Sequence, residues 1–211
     1  MAEIDWKAAL KPLMDKYRGR KHPLDYGNTY QLLVMVLLSA RDSDKHINQL
    51  APALFARFPT MAELAKASFD ELVPLIGSVS NFTTKAEWLI KIAQTLKTDK
   101  AIPLTMEGLT ALKGVGRKSA NVIMSQAGAP AEGVIVDLHT LRVAPRLGIA
   151  QGKTPEKIEK QLMEKVDAKD WHALGLALTF LGRETCRPTN PHCPECPMNE
   201  SCAYRKALPT L

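Results

Sequence analysis

The chain has 211 residues, 45 % hydrophobic and 24 % charged, which supports a folded core and excludes wholesale disorder. Its 28 Lys and Arg against 22 Asp and Glu give a formal net charge of +6, with a pI near 9.1, which favours a polyanionic partner. The uncharged stretch at residues 27–40 is too short to span a bilayer, and residues 1–6 carry no signal pattern, so a cytoplasmic protein with no membrane contact is expected.

Helical periodicity dominates from the start. Ile4, Ala8, Leu10, Leu13, Met14 and Tyr17 share one apolar face, which predicts a helix over residues 4–18, followed by basic Arg18, Arg20 and Lys21. Residues 30–40 are apolar almost all round, as a buried central helix would be. Residues 39–44 break it, and Ile47, Leu50, Leu54 and Phe55 mark the next helix. Thr60 with Glu63, and Ser68 with Glu71, each fit the capping-box spacing. Residues 77–84 read as a loop of small polar side chains, and Ala86, Leu89, Ile92, Ala93 and Leu96 carry the helix after it.

Residues 105–112 and 117–127 then form two helical arms around Lys113-Gly114-Val115-Gly116. Glycine opens backbone angles closed to other residues and lets a ligand approach the main chain, so both Gly114 and Gly116 suit a sharp turn. The second arm starts near Arg117 and Lys118, where free N–H groups and the positive helix end favour an anion. A dinucleotide-binding turn is excluded, because the preceding arm is helical and Ser119 stands where a third glycine would fall.

A link rich in Gly, Ala and Pro follows at residues 128–133, and Val134-Ile135-Val136 reads as a buried approach to Asp137. Asp137 looks like the N-cap of a helix through Arg146. Thr154-Pro155 starts another helix, and Trp171, Leu174, Ala177, Leu178 and Leu181 form the face of a last one ending at Gly182. The fold class is all-α.

All four cysteines lie at the end, as Cys186-x6-Cys193-x2-Cys196-x5-Cys202, with four prolines among them. A disulfide scaffold spreads its cysteines through the chain; this clustering reads as a metal site. By spacing, both zinc and an iron–sulfur cluster are candidates, and the wide first and last gaps suit the larger group.

The hairpin, the run Val136-Asp137-Leu138-His139 and the cysteine tail together resemble the endonuclease III family, the helix-hairpin-helix DNA glycosylases of base-excision repair. Leu37-Leu38-Ser39-Ala40 and the order of segments extend the resemblance over nearly the whole chain. It implies two helical lobes, residues 22–131 with the hairpin at about 108–127, and residues 1–21 with 132–211, with a DNA cleft between them. It also implies a [4Fe–4S] cluster on Cys186, Cys193, Cys196 and Cys202. The partner would be double-stranded DNA with damaged bases or abasic sites, met by a monomer, with the damaged nucleotide flipped out of the stack.

In that family pattern Lys118 matches the nucleophilic lysine and Asp137 the catalytic aspartate. A helix N-terminus, Arg117 and partial desolvation would lower the lysine pKa. Gly114, Val115 and Gly116 would donate N–H groups to a phosphate, and Arg41 and His139 would contact DNA near the lesion. Arg41 replaces a common glutamine, and residues 77–85 are longer than the family's short wedge loop, with Val79 and Phe82 both candidates for the wedge. The expected activity is a bifunctional glycosylase and abasic-site lyase acting on oxidised pyrimidines. The alternatives are an abasic-site lyase or a mismatch or purine-lesion glycosylase on the same fold, and a noncatalytic iron–sulfur DNA-binding protein.

Overall fold

The computed structural model describes residues 4–208, and the regular structure in that span is helical, without a strand. The chain divides into two compact units: one is His22–Ala129, and the other takes the chain up to Lys21 and from Pro130 onward.

The first unit is built around α3 (Thr29–Leu38), whose start is capped by the Asn28 side chain accepting from the Gln31 amide. Eight of its ten residues are buried, which is why its sequence is apolar on every side. It packs against α4 (Asp44–Arg57), α7 (Phe82–Leu96) and α9 (Arg117–Gln126). The Tyr30 hydroxyl donates to the Phe58 carbonyl at 2.7 Å, so the one polar atom of this buried ring is satisfied. Between α4 and α7 lie α5 (Met61–Leu64) and α6 (Phe69–Ile76). The capping box at Ser68 and Glu71 forms in both directions. At Thr60 only the hydroxyl half forms, because Glu63 turns to Lys66 at 2.8 Å. Helix α7 begins at Phe82, inside the stretch expected to be loop, with Asn81 in the left-handed region at φ 57° as its cap. The short α8 (Met106–Thr110) and α9 complete the unit.

In the second unit the helix expected over residues 4–18 is two, α1 (Trp6–Ala9) and α2 (Lys11–Lys16), separated at Leu10. Pro12 causes the break: it has no N–H to give to the Ala8 carbonyl. Trp6, Leu10, Leu13 and Tyr17 join the core formed by α10 (Leu138–Leu147), α11 (Pro155–Lys165) and α12 (Trp171–Glu184). Tyr17 stacks on Phe180 at 5.7 Å and donates to Glu184 at 3.2 Å, and burial pushes its hydroxyl pKa up to about 12. Helix α12 runs two residues beyond Gly182, because that glycine serves packing and not termination. A Cβ there would come within 2.7 Å of His139 Cβ on α10, so hydrogen alone lets the two helices approach. The cysteine tail holds a single 3₁₀ turn, Cys193–Glu195, before α13 (Ala203–Ala207).

Candidate active site

The two arms of the hairpin are α8 and α9, which pack on each other. Between them Gly114 takes φ 81°, the left-handed region, and the Val115 amide donates to the Leu112 carbonyl at 3.1 Å to close the turn. Val115 itself is buried, with its N–H directed back into the turn. Gly116 also differs from expectation: its φ of −88° and ψ of 172° are ordinary extended values. A Cβ at Gly116 would meet nothing within 4 Å, so glycine there leaves the backbone bare toward the outside. Gly116 is the N-cap of α9 and supplies no side-chain cap, so this helix start keeps its affinity for an anion.

Arg117 and Lys118 occupy the first two positions of α9 and are exposed, while Ala120, Asn121, Val122, Ile123 and Met124 bury the helix behind them. The amine of Lys118 thus stands on a fixed helix beside the bare hairpin. The partial desolvation expected for it is not supplied by the protein's own packing, since the residue is exposed.

Asp137 is the N-cap of α10, with φ −96° and ψ −175°. Its Oδ1 accepts from both His139 N at 2.9 Å and Thr140 N at 2.8 Å. The cap therefore uses one carboxylate oxygen, and Oδ2 is left for other work. Leu138, at the first helical position, is 70 % exposed. His139 is half-buried, with Nδ1 3.3 Å from Nη2 of Arg142.

The same helix that begins at Asp137 reaches the cysteine tail at its other end. Arg142 donates to the carbonyls of Gly182 at 2.8 Å and Cys186 at 3.1 Å. Arg146 donates to Arg187 O at 2.7 Å and Pro188 O at 2.9 Å, approaches Cys186 Sγ at 3.6 Å, and lies over the Tyr204 ring at 4.8 Å. No sequence pattern announced these two arginines as the tail's fastening; basic residues spaced four apart on a helix commonly mark a solvated face.

Cys186, Cys193, Cys196 and Cys202 line one cavity, with Leu147, Leu181 and Tyr204 among its walls. Burial pushes the thiols of Cys196 and Cys202 up, and the neighbouring cysteines add to the shift. Among the described residues no three His, Cys, Asp or Glu side chains are gathered closely enough for a single metal ion. Four cysteines on one cavity are a donor set that a metal group could use.

Arg41 follows α3 in the first unit, exposed and at φ 60°. Of the two wedge candidates, Val79 is only 2 % exposed and belongs to the core, while Phe82 is half-buried at the first position of α7.

A glycine hairpin opening a helix is a phosphate-grasping device, and residues 34–168 match the family model described as HhH-GPD superfamily base excision DNA repair protein. That sets the class: a helix-hairpin-helix protein of DNA repair. Curated relatives include endonuclease III of Synechocystis sp., 35 % identical over 90 % of this chain and 88 % of that one, and endonuclease III of Bacillus subtilis, 34 % identical over 92 % and 89 %. A solved structure of a trapped endonuclease III–DNA covalent intermediate superposes with a TM-score of 0.85, at 31 % identity over 95 % of both chains. A thermostable thymine-DNA glycosylase shares the fold, with a TM-score of 0.80 at 20 % identity over 97 % of this chain and 98 % of that one. The chain belongs to the endonuclease III family. It is accordingly an enzyme of the DNA glycosylase and abasic-site lyase class.

Proposed function

We propose that Lys118 is the nucleophile and Asp137 its carboxylate partner in a bifunctional reaction on oxidised pyrimidines in duplex DNA. The observation that carries this is an exposed lysine on the first turn of α9, directly after a hairpin whose backbone is bare at Gly116. The amide groups of Gly114 and Gly116 and the start of α9 bind the phosphate beside the lesion. That contact sets the flipped sugar against Lys118, and DNA itself covers the lysine, supplying the desolvation that the free protein lacks.

Neutral Lys118 attacks C1′ as the C1′–N bond breaks, and the base leaves with the bonding electrons and takes a proton. Oδ2 of Asp137 stabilises positive charge at C1′ and receives the amine's proton, while Oδ1 keeps α10 capped. Ring opening gives a Schiff base between Nζ and C1′. Loss of a C2′ proton then pushes electrons toward C3′, the C3′–O bond breaks, and the strand is cut on the 3′ side. Water finally releases the amine.

Cys186, Cys193, Cys196 and Cys202 would hold a [4Fe–4S] cluster, a reading that their common cavity and their spacing in the sequence support. When bound, the cluster supplies thiolate–iron bonds that fasten a proline-rich tail with too little apolar content to fold alone. The purified protein should be brown with iron and sulfide present; a colourless protein containing zinc would overturn this assignment.

Borohydride tests the lysine. The wild type should be trapped covalently on DNA with an abasic site, and Lys118→Ala should not be trapped. Equal trapping of the variant would sink the assignment, and intact DNA binding with no product on a panel of lesions would favour a noncatalytic protein.

A further inference from the structure

Val134, Ile135 and Val136 are buried yet belong to no helix, so their main chain must find its partners outside regular structure. This segment leads directly into Asp137. Two residues from other helices of the same unit hold it. Glu159 of α11 is only 5 % exposed, and its Oε1 accepts from Val134 N at 3.2 Å. Gly175 of α12 lies under the next residue. A Cβ there would come within 2.7 Å of Ile135 N, 2.8 Å of Ile135 Cβ and 3.1 Å of Ile135 Cα, so hydrogen alone fits between α12 and this backbone.

Gly182 repeats the contact seven residues on, where its hydrogen faces His139 Cβ. Seven residues make about two helical turns, so both glycines lie on one face of α12. One seats the chain two residues before Asp137, and the other seats it two residues after. The second seat also bears on the helix cap, because the His139 amide is one of the two that donate to Asp137 Oδ1.

The main chain around Asp137 is therefore held at three places: Val134 by Glu159, Ile135 by Gly175 and His139 by Gly182. The bond from Glu159 fixes the direction of one N–H as well as its height, which apolar packing alone does not. Base release needs such control, since misplacing a reacting group by about 1 Å can cost about a hundredfold in rate.

We propose that Glu159, Gly175 and Gly182 are positioning residues for the catalytic carboxylate, fixing the main chain on both sides of Asp137 so that its Oδ2 keeps one approach to the sugar. This rests on the assignment of Asp137 above. The three act through residues 134–139 and not on the DNA.

Single-turnover base release from duplex DNA carrying an oxidised pyrimidine tests this, because it separates rate constant from amplitude. Glu159→Ala should lower the rate constant about ten- to a hundredfold. Its affinity for DNA carrying a tetrahydrofuran abasic analogue should stay at the wild-type value. Glu159→Gln keeps an oxygen acceptor and should recover most of the rate. Glu159→Asp, with its acceptor one methylene short, should fall between, and Gly175→Ala should slow the same step. A merely less stable protein would instead show a reduced amplitude at the wild-type rate constant. A wild-type rate constant for Glu159→Ala or Gly175→Ala would overturn the role of that residue. Glu159→Gln as slow as Glu159→Ala, or a loss of DNA affinity as large as the loss of rate, would overturn the positioning role altogether. The comparison of Gln with Asp at position 159 decides the case even where alanine prevents folding: equal rate constants for the two would overturn it. Asp137→Asn is measured alongside, and base release by that variant at the wild-type rate would overturn the reading of Asp137 beneath the proposal.

Discussion

The six-membered ring of Trp88 stands where a side chain at Gly114 would have to go. A Cβ built there comes within 2.8 Å of three atoms of the ring. The hairpin turn is thus seated on the indole, and α7 sets the height at which the phosphate-binding backbone is held. Gly114→Ala should destabilise folding by about 2–4 kcal/mol, combining overpacking with a strained left-handed residue. Urea unfolding measures this, and adding Trp88→Ala should recover the overpacking part alone.

Gly116→Ala should behave in the opposite way. Its backbone is ordinary and nothing surrounds its Cβ position, so stability should change by less than about 0.5 kcal/mol. Affinity for abasic-site DNA should nevertheless fall, because the added methyl lies on the bare side of the hairpin. Equal affinity for the two proteins would remove Gly116 from the phosphate site.

Asp137 separates into two functions by substitution. Asn can accept the same two amide bonds, so Asp137→Asn should keep wild-type stability, while Asp137→Ala should lose about 0.5–2 kcal/mol with the cap. Both should lose base release, since neither carries a carboxylate. Wild-type product formation by Asp137→Asn would mean that the residue only caps α10.

Acid should act through Asp42. Burial pushes its pKa up, but the bonds from His46 and from the Ser43 and Ser80 amides outweigh burial and hold it below the ordinary 3.8. A carboxyl depressed in the folded state stabilises fully above the unfolded value and loses that contribution as pH falls through the folded value. The urea midpoint of wild type should therefore drop on going from about pH 5 to below pH 3 more steeply than that of Asp42→Asn. Parallel acid limbs for the two proteins would show that Asp42 contributes nothing to the fall.

Much of the molecule was legible in the sequence because local rules governed it. Thr60, Ser68, Asp137 and Thr154 each cap the helix that follows, and α9 starts at Arg117 as the hairpin pattern implied. What stayed hidden depends on contacts between distant segments. Lys85 sits in an amphipathic helix where a lysine reads as solvated, and only the end of α3, about 45 residues earlier, explains its burial. Gly116 looked like a turn glycine, yet of the two only Gly114 uses a left-handed angle, and it alone sits against Trp88, a residue of a distant helix. Left-handed Arg41 and Asn81 had no glycine to announce them. The break at Leu10 was readable from Pro12, but the apolar face running through it spoke for one helix.

The stacking of Tyr17 on Phe180 has a consequence for how the protein is made. Chain growth delivers α1 and α2 first, yet the partners they bury against, in α12, follow about 160 residues later. Residues 22–129 form a compact unit with a core of their own, so they can begin to pack before α12 is made. Trp6, Leu10 and Leu13 must wait, exposed, through that whole interval. The slow step of maturation should then be capture of the α1–α2 apolar face by α12, and a chaperone that shields this face in the interval would answer a need created by a helix made much later.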